Sequence, residues 1–87
     1  ALCRMMTFEE ASERIKILTF LTNAELLELY SLYKQGTLGD NNIAKPGRLD
    51  MKGQAKWYAW DVKKGISKED AQNRYIVLVE RLLQKYK

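Results

Sequence analysis

The chain has 87 residues, of which 46% are hydrophobic and 30% charged. This length is enough for one domain with its own hydrophobic core and too short for two. The composition is that of a folded chain rather than a disordered one. No run approaches the ~20 apolar residues of a membrane-spanning helix, and no signal-peptide core is seen, so we expect a cytoplasmic protein. The formal net charge of +4 favours an anionic partner.

The first residues carry no helical pattern and are kept out of the fold prediction. We interpret residues 1–5 as an N-terminal tail or a remnant of processing or cloning, and residues 6–87 as the single domain. The one cysteine, Cys3, lies in this tail, where it has no partner for an internal disulfide. Helical packing is therefore expected to hold the domain together.

The first predicted helix begins with a capping box. Thr7 is followed three residues later by Glu10, the spacing at which the two side chains satisfy each other's backbone amides. Apolar residues then recur at helical spacing, which indicates one buried face. They are Phe8, Ala11, Ile15 and Leu18.

The second predicted helix begins with another capping box at Thr22 and Glu25. Its apolar and aromatic side chains cover more than half of the helix circumference, which is wider than one packing face needs. The same helical wheel places Lys34 between Tyr30 and Leu27. A cation at the margin of an apolar, aromatic surface is the first feature that suggests a ligand.

A long aperiodic segment follows, from about Gly36 to Met51, and its glycine, proline and Asx residues indicate turns. Loops of this length are uncommon in compact domains and tend to be functional or to cross over the structure. A third helix is predicted from near Met51 to near Lys63, ended by Gly65. Its apolar positions are Ala55, Tyr58, Ala59 and Val62.

The fourth predicted helix begins at the cap residue Ser67 and is the longest and most regular. One apolar face runs along it: Ala71, Tyr75, Leu78, Val79, Leu82 and Tyr86. No alternating pattern supports a strand. The sequence therefore predicts an all-α fold of four helices.

The sequence offers little for catalysis. The chain contains no histidine, which excludes imidazole acid–base chemistry, His-ligated zinc and the Ser-His-Asp arrangement. Its lone cysteine has no activating histidine, and no phosphate-binding glycine loop is present. We predict no catalytic residue, no metal site, no cofactor and no enzymatic activity.

What remains is a set of tyrosines interleaved with lysines on three helices. Such a set suits a ligand with a flat ring and phosphate groups, because tyrosine stacks or donates a hydrogen bond while ammonium groups neutralise phosphate. Tyrosines at helical spacing also form cores, and surface lysines are commonly solvated. Trp57 and Trp60 are assigned mainly to packing. The set comprises Tyr30, Tyr33, Lys34, Lys52, Lys56 and Tyr75.

Five segments together closely resemble the acyl-CoA-binding protein family, and the resemblance runs from residue 8 to residue 86. They are YSLYKQGTLGD at 30–40, KPG at 45–47, GQAKWYAW at 53–60, KGISKEDA at 64–71 and YI at 75–76. The resemblance implies a four-helix bundle with up-down-down-up topology, in which a long crossing loop joins the second and third helices. This explains the aperiodic segment.

The resemblance also implies a binding site in two parts. The residues implied around the adenine and 3′-phosphate of CoA are Lys16, Tyr30, Tyr33, Lys34, Lys56 and Tyr75. The weaker carry-overs, for an apolar groove under the acyl chain, are Ala11, Ser12, Leu26 and Leu27. Gly36 stands where the family usually has alanine, which predicts a weaker end to the second helix. The connection before that helix is one residue shorter than usual, which could alter chain-length preference.

The function implied by the resemblance is high-affinity binding of long-chain acyl-CoA esters, of about 14 to 22 carbons. Such a protein is an intracellular carrier and pool former, a monomer that meets acyl-CoA-using enzymes or membranes transiently and does not bind nucleic acid. The alternative from another class is a helical protein-interaction module with a basic aromatic surface. A nucleic-acid binder ranks third, because the basic residues are dispersed over different elements.

Overall fold

The computed structural model describes residues 6–86, which contain four α-helices and one 3₁₀ turn and no strand. The elements are α1 (Phe8–Arg14), which continues into the 3₁₀ turn (Ile15–Ile17), α2 (Asn23–Thr37), α3 (Met51–Asp61) and α4 (Lys68–Lys85). The predicted all-α, four-helix class is confirmed. The predicted tail and Cys3 lie outside the described residues. No helix in the described part of the chain is long and apolar enough to cross a bilayer.

Both predicted capping boxes are present. The Thr7 hydroxyl accepts a hydrogen bond from the Glu10 amide at 3.1 Å, and the Glu10 carboxylate accepts one from the Thr7 amide at 3.2 Å. Thr22 and Glu25 repeat the arrangement at 3.2 and 3.0 Å. Each cap stabilises its helix by about 1 kcal/mol, so these starts follow from local sequence alone.

The core lies between α1, α2 and α4. It is a single cluster of buried side chains from these three helices: Ala11, Leu29, Leu32, Tyr75, Ile76, Val79 and Leu82. Among the described helices, α3 packs against α2 alone. The buried residue of α3 is Trp60, with 1% of its surface exposed. α3 is therefore a peripheral helix attached to one side of a three-helix core.

The contacts give the relative directions of the helices. Glu25 at the start of α2 bonds Tyr86 at the end of α4, while Gly36 at the end of α2 bonds Gln72 near the start of α4. These two helices are antiparallel. α3 runs parallel to α2, since its Lys56 lies beside Tyr30 and its Trp60 bonds the Gly39 carbonyl beyond the end of α2.

α1 runs parallel to α4. Phe8 at its start contacts Tyr75, and Phe20 beyond its end contacts Tyr86 at the far end of α4. With α2 antiparallel to α4 and α3 parallel to α2, the order is up-down-down-up. Two consecutive parallel helices need a connection as long as the helix itself, and residues 38–50 provide it.

Residues 38–50 are fastened to α3 by the two indoles. Trp57 Nε1 donates to the Ile43 carbonyl at 2.8 Å, and Trp60 Nε1 donates to the Gly39 carbonyl at 2.9 Å. Asn41 returns a bond from its Nδ2 to the Trp57 carbonyl at 3.3 Å. The prediction that the tryptophans serve mainly packing is confirmed for Trp60, which is buried. Trp57 is half-buried, and its indole binds the crossing loop.

The apolar positions that predicted the third helix are not its buried face. Val62 is 73% exposed and Tyr58 is 47% exposed, whereas Trp60, on the opposite side of the helix, is buried. The helix also ends at Asp61 rather than near Lys63. Apolar spacing identified the helix correctly. Which side of the helix becomes buried depends instead on how the crossing loop places α3 against α2.

Gly36 lies at a close approach of α2 and α4. A Cβ atom built at this position would be 3.0 Å from Gln72 Cγ and 3.4 Å from the ring of Phe8. The Gly36 carbonyl also accepts a hydrogen bond from Gln72 Nε2 at 2.8 Å. The glycine is buried and α2 continues through Thr37. The close packing against Gln72 and Phe8 therefore stabilises this end of α2 and offsets the low helix propensity of glycine.

Candidate ligand-binding site

Two lysines from different helices face one tyrosine ring. The ammonium nitrogen of Lys34 lies 5.7 Å from the centre of the Tyr30 ring, and that of Lys56 lies 5.3 Å from the same centre. Lys34 Nζ is also 5.8 Å from the centre of the Trp60 ring. Contacts of this length are within the range of cation–π attraction. We call Tyr30, Lys34, Lys56 and Trp60 the cationic cluster.

The helices explain why these groups meet. Tyr30 and Lys34 are four residues apart on α2, so their side chains share a face. Lys56 comes from α3, where it precedes the buried Trp60 by about one turn. Trp60 is held by its bond to the loop carbonyl of Gly39. The cationic cluster thus depends on the parallel packing of α2 and α3.

A second group of rings joins α1, α2 and α4. The ring centres of Phe8 and Tyr33 are 5.4 Å apart in a stacked arrangement, and those of Phe8 and Tyr75 are 5.1 Å apart, edge to face. Tyr33 and Tyr75 are separated by 5.9 Å. Tyr33 is 41% exposed, whereas Tyr75 is 4% exposed. We call these three residues the aromatic cluster.

The hydroxyl of Tyr75 is kept protonated by its surroundings. Burial, reinforced by the neighbouring Tyr33, raises the pKa of the Tyr75 phenol above its ordinary value. A tyrosine hydroxyl is already neutral at neutral pH, and the raised pKa keeps this one neutral at more alkaline pH as well. In that form it donates one hydrogen bond and adds no negative charge near a phosphate.

Five of the predicted headgroup residues thus occur in the two clusters, and α2 links the clusters because it carries residues of both. Lys16 is different. Its Nζ pairs with Glu13 Oε1 at 3.2 Å, and both side chains are well exposed, 68% and 72%. Within residues 6–86, no hydrogen bond, ion pair or ring contact joins Lys16 to either cluster.

The predicted groove residues occupy unlike environments. Leu26 is 49% exposed and Leu27 is half-buried, and both precede Tyr30 by about one turn of α2. Ser12 is half-buried, with its hydroxyl donating to the Glu9 carbonyl at 2.8 Å. Ala11 is wholly buried in the core. Apolar surface next to Tyr30 therefore comes from α2, and Ala11 presents none in this conformation.

Phe8 is the residue that sequence reasoning missed. Its spacing with Ala11 and Ile15 marks it as core, and it does pack partly against the core. Its contact with the exposed Tyr33 arises only because α1 lies beside the end of α2. Trp60 was likewise assigned to packing, and its ring also faces Lys34. Neither contact has a signal in the sequence, since each joins residues far apart along the chain.

A separate cavity of about 310 Å³ opens between α2 and α4. It includes Glu28 and Leu32, which are on the opposite side of α2 from Tyr30 and Lys34 at ~100° per residue. None of the predicted site residues lines it. No group of His, Cys, Asp or Glu within the described range has the arrangement of a metal site.

Comparison with known proteins bears on the same residues. The profile of the family described as Acyl CoA binding protein matches residues 5–79. This chain belongs to the acyl-CoA-binding protein family. The matched range contains every residue of both clusters, so the site lies within the part of the chain that defines the family.

Individual members are similar over nearly their whole length. "Acyl-CoA-binding protein homolog 1" of Caenorhabditis elegans is 55% identical over 82 residues, which cover 93% of this chain and 95% of the relative. "Acyl-CoA-binding protein" of Saccharomyces cerevisiae is 51% identical, covering 91% and 92%. The crystal structure of Oryza sativa Acyl-CoA-Binding Protein 2 superposes with a TM-score of 0.88 at 41% identity, covering 91% and 89%.

Proposed function

We propose that this chain binds long-chain acyl-CoA esters and holds the CoA headgroup at the cationic cluster. The observation that carries the proposal is the convergence of Lys34 and Lys56, from two helices, on the ring of Tyr30. An anionic ligand with an aromatic ring satisfies both features, and membership of the family supports CoA as that ligand.

Each half of the headgroup has a matching surface. The ammonium groups of Lys34 and Lys56 neutralise phosphate through charge-assisted hydrogen bonds. The adenine ring packs against the exposed face of Tyr33. Tyr75 is 4% exposed, so it supplies a hydroxyl donor rather than ring surface. Lys16 assists from the 3₁₀ turn that follows α1. Its exposed pair with Glu13 is worth little, so exchanging that partner for a phosphate is cheap.

The acyl chain binds along the neighbouring apolar surface. Leu26 and Leu27 supply it from α2, and Ser12 borders it from α1. Ala11 joins the groove only if α1 shifts, because its side chain has no exposed surface. Each methylene that leaves water contributes ~0.8 kcal/mol to binding. The affinity therefore increases with the length of the acyl chain.

The proposed role is that of a carrier and pool former in the cytoplasm. A long-chain thioester joined to a multiply charged headgroup is an amphiphile, and sequestering it prevents detergent action while keeping it available to enzymes or membranes. No covalent step is proposed. The protein acts as a monomer that binds its ligand one to one.

The deciding experiment is isothermal titration calorimetry with palmitoyl-CoA, free CoA and palmitate, below the micelle concentration of the thioester. Tight one-to-one binding of palmitoyl-CoA, with much weaker binding of either fragment, is expected because each fragment keeps only half of the contacts. If palmitoyl-CoA does not bind, a helical protein-interaction module becomes the leading function for the same basic aromatic surface.

A further inference from the structure

The side of α3 that faces away from α2 is apolar and uncovered. Met51 is 78% exposed, Tyr58 47% and Val62 73%. At ~100° per residue, these three side chains and Ala55 fall within about 60° of one another, on the side opposite the buried Trp60. We call Met51, Ala55, Tyr58 and Val62 the outer α3 stripe. Since α3 packs against α2 alone, no other helix of residues 6–86 covers it.

The turn that leads into α3 carries a further exposed apolar side chain. Leu49 is fully exposed, at 100%. It lies in a turn closed by the hydrogen bond from the Asp50 amide to the Gly47 carbonyl, at 3.1 Å. The Asp50 carboxylate caps α3 by accepting from the Gly53 amide at 2.9 Å. A large leucine is thus exposed to water two residues before Met51, in a turn closed by a backbone hydrogen bond.

Cations flank the apolar side chains. Lys45 Nζ lies 4.7 Å from the centre of the Tyr58 ring, so it lies beside the stripe. Arg48 is exposed and directly precedes Leu49 in the sequence. Of the acids on this segment, Asp50 is the helix cap and Asp61 pairs with Lys64 at 3.3 Å. The surface therefore combines exposed apolar groups with excess positive charge.

We propose that the outer α3 stripe, with Leu49 and the two cations Lys45 and Arg48, docks on the surface of an anionic lipid bilayer. A convex row of aliphatic side chains suits hydrocarbon, which needs no complementary shape. Long cationic side chains reach anionic headgroups while their stems stay apolar, as at other membrane interfaces. A protein groove would in addition require paired polar contacts, and the stripe itself offers few.

Docking in this way leaves the ligand site accessible. On the helical wheel of α3, Lys56 is closer to Trp60 than it is to the outer α3 stripe. It therefore lies on the side of the helix that faces α2. The bilayer and the CoA headgroup would therefore use different sides of the same helix. The proposal does not depend on ligand binding, so it is tested with ligand-free protein.

The test is co-flotation with vesicles of phosphatidylcholine, with and without phosphatidylserine. Wild-type protein is expected to bind the vesicles that contain phosphatidylserine, less so as salt is raised. The triple variant Leu49→Ser, Met51→Ser, Val62→Ser is expected to bind on the order of a hundredfold more weakly, because three inserted side chains are lost. Lys45→Gln with Arg48→Gln is expected to cost about fivefold per charge, and only on anionic vesicles.

The matched control is Ile17→Ser with Val77→Ser. Both side chains are exposed apolar groups, at 72% and 43%, and neither lies on α3. This variant is expected to bind vesicles like the wild type. Absence of wild-type binding to anionic vesicles, or equal losses in the triple and control variants, would overturn the proposal. So would concentration-dependent self-association that the triple variant abolishes, since a second copy would then cover the stripe.

Calorimetry with palmitoyl-CoA separates this proposal from the proposed function. The triple variant is expected to keep wild-type affinity for palmitoyl-CoA while losing the vesicles. If wild-type protein binds vesicles through the stripe but not palmitoyl-CoA, the docking surface stands and the carrier function falls. If it binds palmitoyl-CoA but no vesicle, the reverse holds.

Discussion

At the scale of single residues, Lys34 and Lys56 are the two cations of the candidate site that lie against aromatic rings. Each faces the Tyr30 ring, and Lys34 also faces Trp60. We expect Lys34→Ala or Lys56→Ala to weaken palmitoyl-CoA binding by about 1.5 to 3 kcal/mol, because each change removes charge-assisted phosphate bonds. Calorimetry measures the affinity, and circular dichroism is expected to be unchanged since neither side chain is in the core.

The control for these two variants is Lys68→Ala, which removes an exposed lysine at the start of α4. It is expected to keep wild-type affinity apart from a small effect of net charge. Lys16→Ala is expected to lose more affinity than the control and less than the cluster variants, because the partner of Lys16 in the structure is Glu13. Wild-type affinity in Lys34→Ala protein would show that the headgroup site is misplaced.

Glu25 also has a defined electrostatic role. Its carboxylate accepts hydrogen bonds from Lys85 Nζ and the Tyr86 hydroxyl, each at 2.8 Å, and from the Thr22 amide at 3.0 Å. These bonds, that of Lys85 first, lower the pKa of Glu25 from 4.5 to about 2. The carboxylate therefore links the capped start of α2 to the end of α4.

The sign of the pH dependence follows from the lowered pKa. Because the folded state holds the proton less tightly than the unfolded state, Glu25 contributes stability above about pH 4.5 that is lost as pH falls toward 2. We expect Glu25→Gln to lower the free energy of unfolding at pH 7 and to flatten its pH dependence between 4.5 and 2. Urea unfolding at several pH values measures both proteins. Parallel curves would contradict the assignment.

At the scale of elements, Gly36 tests whether helix propensity or helix contact dominates at the end of α2. Alanine is favoured over glycine by roughly 1 kcal/mol in a helix interior, but its Cβ would press on Gln72 Cγ. We expect Gly36→Ala to gain less than this in the wild-type background and to be clearly stabilising once Gln72→Ala has removed the obstructing atom. Chemical denaturation of the four proteins in a double-mutant cycle measures the coupling. Equal effects of Gly36→Ala in both backgrounds would mean that the contact carries no energy.

The elements themselves could mostly be predicted from sequence. The starts of α1, α2 and α4 follow from the cap residues Thr7, Thr22 and Ser67. Their hydroxyls accept hydrogen bonds from the expected backbone amides. The buried side of α3 could not be predicted. Its spacing shows only that one side is apolar, whereas burial of Trp60 depends on the bond to Gly39, twenty-one residues away along the chain.

At the scale of the whole molecule, the proposed site should respond to acyl length. If the whole chain is buried, shortening palmitoyl-CoA to lauroyl-CoA removes four methylenes and costs about 3 kcal/mol, on the order of a hundredfold in affinity. Partial burial along Leu26 and Leu27 would give a smaller loss. Competition calorimetry with the two esters measures it. Equal affinities would exclude a groove that covers the full chain.

The site could be predicted only in part for the same reason as the fold. Tyr30 and Lys34 share a helical face, so local spacing places them together. Lys56 and Tyr75 reach the site through the parallel packing of α3 and the antiparallel packing of α4, which no local pattern specifies. Residue type alone placed them in the candidate set, and the family resemblance assigned them to the headgroup. Phe8 entered neither prediction, because its stacking on Tyr33 joins α1 to α2 across the structure.

The attachment of α3 to a single neighbour has a consequence for motion. Local opening requires the loss of few buried contacts where packing is one-sided, so residues 38–61 form a unit that opens more readily than the α1, α2 and α4 core. Backbone amides of α3 should therefore exchange with deuterium sooner than those around Val79. A ligand that touches both Tyr30 and Lys56 bridges the opening unit to the core, and its binding energy then appears as slower exchange throughout α3.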